Sequence, residues 1–454
     1  MTKSMTEGRP LTLILQFALP LLVGNLLQQT YNIIDAAIVG QILGADALAS
    51  VGASSSVQFL VLGFCIGICC GFGVPIAKSF GAGKHEEMRD FIFHAMVLTG
   101  ISAVVLTAVC ALLCPQILHL LSTPEDIYKG AYQYLLVIFL GIPFTLLYNL
   151  LSSILRAVGD SRTPFLFLAF STVLNIILDL FCIVVLKWGC AGAAIATITA
   201  QAVSGILCFI YIRKRIPVLC LSRQNYRIKE ALIKTMLIMG IPMGLQYSIT
   251  AIGSMVMQSA NNGLGSIYVS GFTAGMRIKQ FLMCPFDAIA TAVSVFCGQN
   301  LGAGKTDRIK KGIREGVCAG VLYGLFAGVI LIFAGRTLSM LFVNKDAANA
   351  AVVLDASAKY LRCMGFFFWS LGILNVCRMT TQGLGYSGRA VFSGLTEMIA
   401  RIVVSVVFVP MYGFTAICFA DQAAWVSACF YIVPVCFGCV RKISLKLKEN
   451  IDKN

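Results

Sequence analysis

Apolar runs near or above the roughly 20 residues needed to cross a bilayer recur along this chain from Leu13 to Val440, with only short polar segments between them. In hydrocarbon every backbone N–H and C=O must be paired inside the protein, which leaves helices or a closed barrel. The alternating pattern of barrel strands is absent. The runs therefore predict an all-α polytopic membrane protein of about twelve helices. The expected spans are 13–40, 51–80, 91–114, 132–155, 163–186, 190–212, 234–258, 269–300, 312–334, 359–381, 387–409 and 414–440. The composition agrees, with 58% hydrophobic and 12% charged residues and a mean hydropathy of +0.86. An ordinary soluble domain carries roughly 25% charged residues. The first run is too long, and too poor in a small-residue cleavage site, to read as a removable signal peptide, so it is taken as the first transmembrane helix.

The net charge of +15 does not point to nucleic acid, because the Lys and Arg residues fall in loops rather than on one face of a domain. If both termini are cytoplasmic, the inside segments hold roughly two dozen basic residues and the outside loops about four or five. Lys84, Arg89, Arg213, Lys214, Arg215, Lys310, Lys311, Arg441 and Lys442 all fall inside. This asymmetry requires an even number of spans and predicts a multi-pass protein of the cell membrane.

The longest polar interval, Arg213 to Lys229, contains Pro217 and reads as a linker between two six-helix lobes, 1–222 and 223–454. Landmarks repeat across it in one order. Pro20 returns as Pro242, Gly81-Ala82-Gly83-Lys84 as Gly302-Ala303-Gly304-Lys305, Gly159 and Ser161 as Gly385 and Ser387, and Gly189 as Gly413. Two parallel repeats predict lobes related by a pseudo-twofold axis along the membrane normal, with a cavity between them.

Other motifs carry less. Gly302 to Thr306 resembles a phosphate-binding loop, but that loop requires a glycine at position 299, which is Gln299; the first copy has Lys78 and His85 at the corresponding places. Both copies read as tight turns. The eighteen cysteines sit inside apolar runs and read as small hydrophobes. Cys436 and Cys439 have no second pair, so no metal is assigned to them. The three His residues, His85, His94 and His119, fall in loops or at helix ends, and no nucleophile or metal constellation suggests an enzyme or a resident cofactor.

Ionisable side chains deep in a span cost about 2.5 to 3.5 kcal/mol on insertion scales, so those retained there usually line a pathway. Asp35 lies near the outer end of the first run and Asp179 near that of the fifth, both roughly 8 to 12 Å deep at 1.5 Å rise per residue. Thr197 reaches a similar depth, and Asn175 is one turn from Asp179 on the same face. Two carboxylates, an amide and a hydroxyl are hard oxygen ligands suited to Na⁺, or a pair able to share a proton.

With Ala18-Leu19-Pro20, Asn32 to Gly40, the paired Gly-Ala-Gly-Lys turns, Leu155 to Asp160, Asn175 to Asp179 and Gly192 to Thr197, the chain resembles the multidrug and toxic compound extrusion (MATE) family along nearly its whole length. The resemblance implies a monomeric antiporter. It would export amphipathic, often cationic, small molecules in exchange for inward H⁺ or Na⁺, with membrane lipid as its solvent. It implies a cation-coupling role for Asp35, Asn175, Asp179, Thr197 and Asn149, and a bending role for Pro20. Some branches of the family also carry acidic cation-site residues in the seventh and tenth helices. This chain has none in those runs, so coupling is expected to rest on the first lobe.

In the second half, Glu397 and Arg401 stand at i, i+4 in the order that favours a helical ion pair, and are expected to be a structural pair ahead of a substrate contact. Arg277, Lys279 and Asp287 are expected to neutralise one another. The alternative function is a flippase of lipid-linked precursors with a related two-lobed fold. That reading calls for further helices or several basic residues facing the cavity, and neither is evident.

Overall fold

The computed structural model describes residues 3–120, 123–343 and 349–452, and all regular structure among them is helical. The α-helices are α1 Pro10–Leu43, α2 Ala45–Gly81, α3 His85–Leu120, α4 Glu125–Leu140, α5 Ile142–Ala157, α6 Arg162–Leu180 and α7 Gly189–Arg215. They continue with α8 Glu230–Asn262, α9 Ser266–Gly302, α10 Thr306–Ser339, α11 Ala350–Gly383, α12 Ser387–Val403, α13 Val409–Tyr412 and α14 Phe414–Asp452. Eleven helical stretches in the described residues are each long and apolar enough to cross a bilayer. A twelfth span comes from α4 and α5 together, bent by 47°.

That bend falls inside the span expected over 132–155. Gly141 closes α4, and Pro143 in the first turn of α5 offers no N–H to the preceding turn, so the hydrogen-bond ladder is interrupted there. The fifth span ends in a π-helical segment, Phe181–Val185, and the eleventh contains one, Val404–Phe408, before α13.

The repeat seen in the sequence has a backbone counterpart. Gly44 and Gly265, Gly83 and Gly304, Gly159 and Gly385, and Gly189 and Gly413 all take positive φ, with values of 69° at both Gly83 and Gly304 and 57° at both Gly189 and Gly413. At the first Gly-Ala-Gly-Lys turn Lys84 N–H donates to Ser79 O at 3.0 Å, and at the second Lys305 N–H donates to Asn300 O at 2.9 Å. Each turn thus closes the helix before it, as a helix C-terminus requires.

The chain forms two compact units, Met1–Ser4 with Val23–Ser248, and Met5–Leu22 with Ile249–Asn454. The division falls inside α1 and α8, not at the 222/223 loop where the sequence suggests it. The beginning of α1 joins the second unit because Met5, Ile14 and Phe17 are buried with Val293 and Phe296 of α9. The beginning of α8 joins the first, where Met236 is buried and α2 approaches closely; a Cβ on Gly71 would lie 2.5 Å from Gly240 Cα. The first unit's core is built around Phe72, Phe139, Leu146 and Ile154. The second is centred on an edge-to-face aromatic chain, with Phe286 and Phe368 at 5.2 Å and Phe368 and Trp425 at 6.0 Å between ring centres.

The linker after α7 folds back on α3. Ser222 and Asn225 form a capping box, Asn225 Nδ2 donates to Asp90 Oδ1 at 2.9 Å, and Lys229 pairs with Asp90 at 2.5 Å. All the cysteines are free thiols, Cys436 and Cys439 among the buried ones.

Candidate functional site

Three helices of the first unit bring the expected polar residues together: α1 supplies Asp35, α6 supplies Asn175 and Asp179, and α7 supplies Thr197. The π segment that follows Asp179 packs tightly on α7, since a Cβ on Gly192 would lie 3.2 Å from the Cys182 side chain. The Asp35 and Asp179 carboxyl groups stand within hydrogen-bond distance of each other. Asp179 is 0% exposed and Asp35 is half-buried. Oδ1 of each is buried and receives no protein donor. Two carboxylates in such contact repel unless a cation lies with them, and a proton shared between them is the smallest one that suffices.

The remaining members hold this pair in place. Oriented to satisfy both of its ends, the Asn175 amide donates to Asp179 Oδ2 at 3.0 Å and to the Tyr31 hydroxyl at 3.1 Å, and accepts the Thr197 N–H at 3.0 Å. The Thr197 hydroxyl donates to Ala193 O at 3.0 Å and meets Tyr31 OH at 3.1 Å. Tyr31 lies one turn before Asp35 on α1, and Tyr134 of α4 is buried in the same cluster as Val39 of α1. Sequence reasoning passed over both tyrosines. Tyr31 stands one turn before Asp35 on the same helix face, which was the available signal.

Asn149 is not drawn into this group. Its Nδ2 donates to Thr145 O in its own helix at 2.8 Å. Pro20 lies inside α1, two residues before the point where the helix leaves the second unit for the first. Among the described residues no three His, Cys, Asp or Glu side chains gather as a metal site would.

The second unit holds a larger buried charge cluster. Glu397 pairs with Arg401 at 3.4 Å and also with Arg378 on α11. Arg401 Nε reaches Asp421 Oδ1 of α14 at 3.1 Å, and Lys279 of α9 reaches Asp421 Oδ2 at 2.5 Å. Tyr360 OH donates to the same oxygen at 2.9 Å, and Lys279 lies 5.6 Å from the Trp425 ring centre. Lys279 is therefore neutralised by Asp421 on another helix, and not by Asp287 as the sequence suggested. Asp421 and Arg378 are further residues the sequence reading passed over, though each interrupts an apolar run as Asp35 does.

The MatE family matches residues 20–181 and 242–407 of the chain, so both matched stretches begin at the repeated prolines Pro20 and Pro242. The probable multidrug resistance protein YpnP of Bacillus subtilis is 32% identical over 370 residues, covering 81% of each chain. A solved MATE in complex with MaL6 shares the fold with a TM-score of 0.90 at 21% identity, over 99% of this chain and 100% of that one. An outward-facing multidrug resistance MATE family transporter of the MOP superfamily also gives 0.90, at 20% identity over 97% and 98% of the two chains. With the family matched in both repeats and over most of the sequence, the chain belongs to the MatE family of membrane transporters.

Proposed function

We propose that this transporter is a secondary active antiporter of the plasma membrane, acting as a monomer with both termini in the cytoplasm. It exports amphipathic, often cationic, small molecules in exchange for inward H⁺ or Na⁺. The observation that carries this reading is the contact between Asp35 and Asp179 inside the apolar first unit. Such a pair binds a cation strongly and stays in hydrocarbon at low cost only while that cation is bound. The multidrug resistance named for YpnP and for the outward-facing MATE transporter supports export of varied compounds.

In this cycle Asp35 and Asp179 take up the cation from outside, and Asn175, Thr197 and Tyr31 keep the two carboxyl groups facing each other. Loaded and empty sites must favour different courses of α1, because a ligand shifts a conformational equilibrium only through differential affinity. One charge moving down 100 mV releases about 2.3 kcal/mol, enough for roughly a fifty-fold uphill gradient of a neutral compound. The test is ethidium export from proteoliposomes under an imposed H⁺ gradient and, separately, an imposed Na⁺ gradient. One of the two should drive export against the dye gradient, and export indifferent to both would overturn the antiport reading.

A further inference from the structure

Helix α9 presents an outer face unlike its neighbour's. The large exposed residues of α10 are Leu322, Leu325, Phe326, Val329 and Phe333, a surface solvated by lipid. The exposed residues of α9 are Ser266, Tyr268, Ser270, Thr273, Gln280 and Asp287. Tyr268 stacks on Phe414 at 4.7 Å. The others fall within an arc of about 100° when each residue advances the helix by about 100°. Asp287 ends the stripe near the middle of the span.

An exposed carboxylate facing hydrocarbon at that depth costs about 2.5 to 3.5 kcal/mol, so the stripe faces water. The repeat supplies an internal control. At the offset that relates Gly44 to Gly265, the positions of α2 corresponding to Ser270, Thr273, Gln280 and Asp287 are Ala49, Gly52, Phe59 and Ile66. The architecture therefore does not demand polar residues there.

Asp287 is also separate from the buried charge cluster. Its Oδ1 accepts a long bond from Asn375 Nδ2 at 3.4 Å. Arg378 acts on it through charge, but Arg378 is itself held by Glu397 and by Ser393 Oγ at 2.9 Å. The Asp287 carboxylate thus keeps an accessible side.

We propose that this stripe of α9 is where the second unit receives the substrate, with Asp287 as the acceptor for its cationic group and Thr273 and Gln280 as polar contacts along the approach. The assignment rests on the export reading above, and it concerns substrate recognition and not coupling. The test is ethidium binding to detergent-solubilised, monodisperse protein, alongside gradient-driven export from proteoliposomes. Asp287→Asn should weaken ethidium binding about tenfold or more, the scale of one lost charge-assisted contact. Asp287→Glu should restore most of it, and Gln280→Leu should weaken it severalfold.

Unchanged binding in Asp287→Asn, or Asp287→Glu as weak as Asp287→Asn, would overturn the proposal. So would loss of the gradient's drive in Asp287→Asn with dye binding intact, which would make the residue a second coupling site. Should Asp287→Asn not yield folded protein, Gln280→Leu decides, since normal ethidium binding there removes the stripe from the path. The two readings fail separately. Asp35→Asn that still exports against a gradient sinks coupling at Asp35, whereas unaltered ethidium binding in Asp287→Asn sinks only the substrate site.

Discussion

The Tyr31 hydroxyl of α1 and the Thr197 hydroxyl of α7 meet at 3.1 Å, one helical turn from Asp35. Through the Asn175 amide the same tyrosine is linked to Asp179. A change of charge at the carboxyl pair is therefore felt at once by three helices, which is how a bound ion can bias the course of α1.

Asp35→Asn and Asp179→Asn should each abolish cation-driven ethidium export from proteoliposomes while leaving dye binding in detergent largely intact. An amide keeps the shape of the carboxyl group but neither holds a proton nor neutralises a metal cation. If both variants still export dye against its gradient, and lose that ability when the cation gradient is collapsed, the coupling site is elsewhere.

Tyr31→Phe and Thr197→Val each remove one hydroxyl from the supporting bonds. At about 0.5 to 1.5 kcal/mol per hydrogen bond, the cation concentration for half-maximal export should rise by roughly twofold to tenfold. Maximal export at saturating cation should stay close to that of the unchanged protein. A fall in the maximum with no shift in cation dependence would place these hydroxyls in folding and not in cation affinity.

The spans and the repeat were legible because lipid imposes its rule locally: every run of sufficient length and apolarity must be a helix, and the repeated turns close on glycines at positive φ. The polar group at Asp35, Asn175, Asp179 and Thr197 was legible through depth alone. The partners of Asp421 were not, because Lys279 lies 142 positions away and nothing in either run names the other. The division of α1 and α8 between units was hidden for a similar reason. It depends on which neighbours Phe17 and Met236 choose, while a continuous apolar helix reads the same on either side of the change.

Asp421→Asn should destabilise the protein by about 3 to 5 kcal/mol, since it leaves Lys279 and Arg401 buried with a charge deficit. Replacing Lys279 and Asp421 together with Met and Leu should recover part of that loss. Thermal unfolding in detergent reads both effects. If Asp421→Asn melts with the unchanged protein yet alters which dyes are exported, the cluster contacts substrate and is more than a structural brace.

The position of the linker tests the topology. Asn225 is only 2% exposed, held against Asp90, whereas Tyr226 beside it is 59% exposed. A cysteine placed at Tyr226, with the exposed Cys318 and the partly exposed Cys220 of the same linker replaced, should resist an impermeant maleimide in intact cells and react once the cells are opened. Labelling in intact cells would reverse the assigned orientation.

Pro20 sits where α1 passes from one unit's packing to the other's. Up to Leu22 the chain is anchored in the second unit, with Met5 N–H donating to Gln299 Oε1 at 2.8 Å, Arg308 Nη1 donating to Gly8 O at 2.8 Å, and Ile14 and Phe17 buried. From Val23 onward the helix belongs to the first unit and carries Tyr31 and Asp35. Any change in its course is thus confined to the few residues around Pro20, where the proline offers no N–H to the preceding turn and the helix bends most cheaply. Pro20→Ala supplies that N–H and stiffens the junction by about 1 kcal/mol, the typical net value of one hydrogen bond. Turnover in proteoliposomes should fall severalfold, while ethidium affinity in detergent and the melting temperature stay near those of the unchanged protein, because neither the dye site nor the unit cores are touched. Turnover equal to that of the unchanged protein would mean that α1 moves without using this break, and that Pro20 only shapes the helix at rest.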